Sequence, residues 1–112
     1  QNTIVANSAA GLNCNRAIIG SFNLSSDNSC GFGAGRDNIN VMLGPLAQNG
    51  GASLTHLLRP GSPAIDFGTN AGCPATDQRG VVRPQGPTCD VGAVEKVAGE
   101  DILKLFLPLI RR

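Results

Sequence analysis

Four cysteines, Cys14, Cys30, Cys73 and Cys89, carry the most definite chemistry in this sequence. Cys14 and Cys30 stand sixteen positions apart, and so do Cys73 and Cys89. An even number without a CxxC pair points to two disulfides. Structural zinc favours closely spaced Cys or Cys/His clusters, and the single histidine, His56, stands alone. Four cysteines allow three pairings. The local one, Cys14 with Cys30 and Cys73 with Cys89, is favoured because it staples two loop-rich segments separately, but the sequence leaves the other two open. Disulfides imply an oxidising compartment outside the cytosol, so the expected location is secreted or at the cell surface.

Asp66, Asp77 and Asp90, with Arg79 and Arg83, form a second group. Polysaccharide lyases and hydrolases of the β-helix type use clusters of carboxylates, sometimes with calcium and an arginine base, so a catalytic role has to be weighed. Glycoside hydrolysis needs two carboxyl groups facing each other across a groove, usually with aromatic rings to stack on sugar. The chain has no Trp or Tyr. The alternative is structural: in Pro- and Gly-rich chain without ladders, carboxylates accept backbone N–H groups and guanidinium forks bond carbonyls and carboxylates. That reading is favoured, and no enzyme activity, cofactor or metal is expected. His56, within SLTHLL, reads as a packed or surface residue and not as a base. Gly31 to Gly35 is glycine-rich but lacks the spacing and following helix of a phosphate loop. Asn23-Leu24-Ser25 fits a glycosylation sequon, a three-residue pattern that arises often by chance.

The elements that must hold these residues are short. At 112 residues the chain is expected to form a single domain, and with 41% apolar and 4% aromatic residues its interior must be aliphatic. Fifteen Gly and seven Pro break it into brief β-branched runs, which favour strands over helices before residue 96. Thr3 to Val5, flanked by Asn2 and Asn7, and the run from Arg16 to Leu24 read as rungs of a solenoid, with Asn at bends that need left-handed backbone. Residues 39–58 alternate apolar pieces with Gly44-Pro45 and Asn49-Gly50-Gly51, as short strands joined by tight turns. From Arg59 onward Pro and Gly recur too often for a helix. Two or three rungs need neighbours or caps, so the pattern predicts the end of a longer right-handed parallel β-helix. No signal peptide is visible at Gln1, and the expectation is a processed chain or a fragment.

Several segments carry a resemblance to a known family. They are Leu43-Gly-Pro-Leu46 followed by Asn49-Gly-Gly51, Ser62-Pro-Ala-Ile-Asp66, Asp77-Gln-Arg-Gly80 with Arg83-Pro84, and Cys89-Asp-Val-Gly-Ala-Val-Glu95. In order and spacing they resemble the choice-of-anchor Q domain, the C-terminal module of bacterial surface proteins built on right-handed parallel β-helices related to polymorphic outer-membrane repeats. Asn13-Cys14 and the stretch from Asn23 to Cys30 are similar to that family's preceding coil, so the likeness covers roughly residues 1–95. It implies an all-β, disulfide-stapled β-helix end with an irregular cap and no catalytic activity. It also implies that Asp66, Asp77, Arg79, Arg83, Asp90 and Glu95 belong to a structural motif.

Residues 96–112 depart from that pattern and form a separate C-terminal segment. Ile102, Leu103, Leu105, Phe106, Leu107, Leu109 and Ile110 are too many apolar groups to leave in water, yet the stretch is far shorter than the roughly twenty residues a membrane helix needs. It is expected either to pack back on its own module or to dock on a neighbouring subunit. Residues 1–95 hold five Arg against six acids, with no basic stripe interleaved with aromatics, so nucleic acid is set aside. The expected function is a non-enzymatic structural component of the cell surface or of an extracellular filament. It would self-associate through open β-helix ends and the apolar tail, or join the remainder of a longer β-helix. The alternatives are an adhesin or carbohydrate-binding module with a glycan partner, and a fragment of a polysaccharide-degrading β-helix enzyme.

Overall fold

The computed structural model describes residues 1–99. Their regular structure is four short strands: β1 (Ile4–Val5), β2 (Leu24–Ser25), β3 (Leu43–Ala47) and β4 (Thr55–Leu58). β1 and β2 run parallel, Ile4 opposite Leu24 and Val5 opposite Ser25. β3 and β4 form an antiparallel pair with Leu43 opposite Leu58 and Ala47 opposite Thr55, its register shifting between Leu43 and Leu46. That shift falls on Gly44-Pro45, where proline has no N–H to give to a ladder.

The expected right-handed β-helix is not what the chain forms. One two-residue parallel register is present, and no coil stacks above or below it among the described residues. The reason lies in the turn after β3. Gly50 and Gly51 take φ of 102° and 77°, values that suit glycine and reverse the chain, so β4 returns along β3 instead of travelling onward to a third parallel rung. The result is a small domain of two separate two-stranded sheets without helix among the described residues. The short strands and tight turns expected over residues 39–58 are found as this hairpin. Asn2 and Asn7, expected at left-handed bends, have φ of 51° and 59°.

Leu24, Val41, Leu58, Ala64 and Val91 form the buried core, with Ile4, Ala6, Ile39, Leu43 and Ile65 packed against it. It draws on residues from Ile4 to Val91, but it is thin. Its four buried Leu and Val side chains, at about 1.5–3 kcal/mol each, do little against the ordering entropy of so much irregular backbone. Non-ladder hydrogen bonds also tie that backbone together. Ser25 is bonded to Arg36 and Ile39, Val91 N–H to Ala64 C=O, and Gly92 N–H to Asn2 C=O at 2.7 Å. Gly92 has φ of 104°, a backbone conformation that favours glycine, and a Cβ there would also lie 2.7 Å from Ile4 Cδ1. Among the described residues no helix is long and apolar enough to cross a membrane.

Candidate functional site

Two disulfides join the local pairs, Cys14–Cys30 and Cys73–Cys89, each closing a loop of sequence separation 16. The pairing the sequence left open is therefore settled in favour of two separate staples. Each staple sits beside a knot of polar side chains.

The C-terminal knot gathers five of the six motif residues. The Asp77 carboxylate accepts the backbone N–H groups of Arg79 at 2.7 Å, Val81 at 3.0 Å and Glu95 at 2.8 Å, as well as Arg79 Nε at 3.3 Å. Arg79 reaches on to the Glu95 carbonyl at 2.6 Å. Arg83 donates from Nε to Glu95 Oε1 at 2.8 Å and from one terminal nitrogen to the carbonyls of Asp90 and Gly92. Glu95 also receives the backbone N–H groups of Gln85 and Asp90. Asp90 accepts the N–H groups of Asp66 at 2.7 Å and Lys96 at 2.6 Å. Local sequence makes this arrangement. Asp77 is followed at two and four residues by the amides it binds, an Asx-turn geometry in a segment with no ladder to satisfy them.

These are buried charges. The side chains of Asp77 and Glu95 are fully buried, and those of their partners Arg79 and Arg83 are nearly so. Among the described residues no buried side-chain nitrogen or oxygen lacks a partner. Burial pushes the Asp77 carboxyl upward, but the three backbone N–H groups outweigh it, with help from Arg79, and hold its pKa below the ordinary value. Burial dominates at Asp90, where the neighbouring carboxylates of Glu95 and Asp66 add to it and the pKa is raised despite two backbone donors.

Asp66 stands apart from the knot. Its backbone joins in, through its N–H to Asp90 and its carbonyl to Thr88, but the residue is exposed with φ of 55°. His56, also exposed, holds the Gly44 carbonyl through Nδ1 at 2.7 Å. Asn23 is buried, its side-chain oxygen taken by Thr3 N–H, which keeps the sequon inaccessible. The seven apolar tail residues from Ile102 to Ile110 lie outside the described residues.

Three features escaped the reading of the sequence. Around Cys14–Cys30 the half-buried Asp27 accepts Asn13 N–H at 3.0 Å, Ser29 N–H at 2.9 Å and Ser29 Oγ at 2.6 Å. These bonds, the Ser29 hydroxyl foremost, hold its pKa below the ordinary range. The Asp-Asn-Ser order was the available signal, since Asp binding the amide two residues on is a local turn habit. Arg36 stacks between two rings, with Cζ 3.8 Å from the Phe67 centroid and 5.4 Å from that of Phe22, a contact across long sequence distance that leaves no local pattern. The third is a groove of about 730 Å³ bounded by β1, the β3–β4 hairpin and residues 91–94.

Catalysis by paired carboxyl groups needs at least one carboxyl open to a cavity. Among the described residues the groove is lined by neither Asp nor Glu, and the same holds for a smaller hollow of about 300 Å³ beside Phe22 and Arg36. Among the described residues no three of His, Cys, Asp or Glu are placed to hold a metal ion. No family model, no curated protein and no solved structure matches the chain.

Proposed function

We propose that the protein is a non-enzymatic structural component of an extracellular surface or filament, working by association with copies of itself. The observation that carries this reading is an inversion of the usual division between inside and outside. Asp77, Asp90, Glu95, Arg79 and Arg83 are spent on the protein's own backbone, while among the described residues nine large apolar side chains stand exposed. Ile19 is fully exposed, with Ile18 at 48% and Phe22 at 39% in the same loop. Apolar groups gathered in this way mark surfaces that other chains cover. Arg36, held between Phe22 and Phe67, adds the kind of rigid cationic and aromatic anchor that dominates protein contacts.

The two disulfides support the extracellular setting, and the motifs that resemble the choice-of-anchor Q domain support a place on a bacterial surface. A glycan-binding role is less well supported, because Arg36 already covers one face of both the Phe22 and Phe67 rings. Sedimentation velocity over a wide concentration range, with electron microscopy of the same samples, tests the proposal. Reversible assemblies are expected, weakened by Ile19→Asp, a change that touches no packed contact. A chain that stays monomeric throughout would overturn it.

A further inference from the structure

The groove has an open strand edge along one wall. Leu24 N–H bonds Thr3 C=O and Ser26 N–H bonds Val5 C=O, so the odd residues of this stretch face β2. Backbone groups alternate along a strand, which turns the N–H and C=O of Ile4 and the N–H of Ala6 the other way. Among the described residues these three groups have no hydrogen-bond partner, whereas the preceding group on that edge, Asn2 C=O, is taken by Gly92 N–H. Ile4 and Ala6 both line the groove, and Leu43, Leu58, Val91 and Val94 give it apolar walls. Leu46 and Leu54 stand on its hairpin side at 57% and 52% exposure. An unpaired edge above an apolar trough fits an extended apolar peptide that adds a strand and drops alternate side chains into the trough.

We propose that the occupant is the chain's own segment Ile102–Leu107, added to the open edge of β1. Its chemistry matches: five of those six residues are apolar, and among the described residues the groove lining holds no acid to demand a cationic partner. Its length matches as well, because the open edge offers three groups and needs only a few residues of strand. Pro108 follows at the point where pairing ends and no further N–H is required. The tether decides for the same chain over a second one. Val94 lines the groove, and Ile102 follows it after eight residues, a reach of at most about 29 Å when extended. A connection that short holds the segment at an effective concentration on the order of millimolar, above what a separate copy supplies in dilute solution. This inference does not depend on association through Ile18, Ile19 and Phe22, none of which lines the groove.

A photo-crosslinking benzoylphenylalanine placed at Phe106 of the full chain tests it, in an equal mixture of isotopically light and heavy protein at low micromolar concentration. Crosslinks to residues 4–7, 43–46, 54–58 or 91–94 of the same chain are expected. Absence of such crosslinks, or crosslinks that join light to heavy chains, would overturn the assignment, the second by seating the segment on another copy. Amide hydrogen exchange gives an independent reading: Ile4 and Ala6 should exchange at least about tenfold more slowly in the full chain than in Leu105→Asp/Leu107→Asp. Leu46→Asp/Leu54→Asp, at positions more than half exposed, should release the same protection while the disulfide-stapled fold persists. Unchanged exchange at Ile4 in both variants would overturn the proposal.

Discussion

The two stapled regions solve one problem with different materials. Each has a disulfide of the same sequence separation and an aspartate that gathers backbone N–H groups where no ladder can. Around Cys14–Cys30 the work is done by Asp27 with neutral Asn13 and Ser29, all three half-buried, and with the fully buried Ser25. Around Cys73–Cys89 it is done by Asp77, Asp90, Glu95, Arg79 and Arg83, with the ion-paired carboxylates of Asp77 and Glu95 fully buried. The difference teaches that a polar knot of similar geometry gains rigidity and fragility together as it sinks from solvent. A buried charge is tolerable only while every partner is present.

The sharpest way to break the comparison is Arg83→Met. It leaves Glu95 charged and buried, and it abandons the carbonyls of Asp90 and Gly92 that Arg83 now satisfies. A loss of about 3–5 kcal/mol is expected from urea unfolding, with Arg83→Met/Glu95→Gln recovering part of it. A loss below about 1 kcal/mol would mean that the knot does not depend on its charges. Next in size are the staples. Replacing either cysteine pair by Ala should cost about 3 kcal/mol if loop entropy governs, and the same for both, since the closed loops are equally long. A distinctly larger loss at Cys73–Cys89 would show that this bond also holds the buried knot in register.

Acid separates the regions further. Asp77 and Asp27 have folded pKa values below the ordinary 3.8, so the stability they give is full above 3.8 and is lost as pH falls through their lower folded values. Asp90 has the opposite sign. Its folded pKa is raised, so its charge opposes folding at neutral pH, and that opposition is relieved as pH falls through the raised value. Urea midpoints measured from neutral pH downward should therefore hold or rise slightly at first and then fall below pH 3.8. Asp77→Asn should lower the midpoint at neutral pH and flatten the acid limb. A monotonic decline from neutral pH would contradict the sign assigned to Asp90.

What could be read from sequence divides along local and non-local lines. The cysteine spacing, the turn at Asn49-Gly50-Gly51 and the left-handed Asn2 and Asn7 are written within a few residues of where they act. So were the acids and arginines of the C-terminal motif, whose types and density pointed to chain-holding use. The β-helix was not legible. The β1 and β2 runs do have rung chemistry, but whether a third strand continues or turns back depends on two glycines and on where β4 finds the core. The groove and the Phe22–Arg36–Phe67 stack are products of that tertiary choice and had no sequence pattern to announce them.

The smallest predicted effect is the best probe of why the two knots differ. Ser29→Ala removes the hydroxyl that donates to Asp27 at 2.6 Å and accepts from Cys14 N–H at 2.9 Å. By hydrogen-bond count this resembles damage to the buried knot. Yet Asp27 keeps the N–H groups of Asn13 and Ser29, and it is half-buried, so water can reach the vacated lone pair. The expected cost is smaller than that of Arg83→Met, because no charge is stranded, although the buried Cys14 N–H loses its acceptor as well. Because the Ser29 hydroxyl is the foremost cause of the lowered Asp27 pKa, the variant should also bring that pKa back toward its ordinary value, measurable by carboxyl NMR titration. A loss as large as that of Arg83→Met would show that Asp27 is as dependent on its partners as Glu95, and that depth of burial is not what separates the two regions.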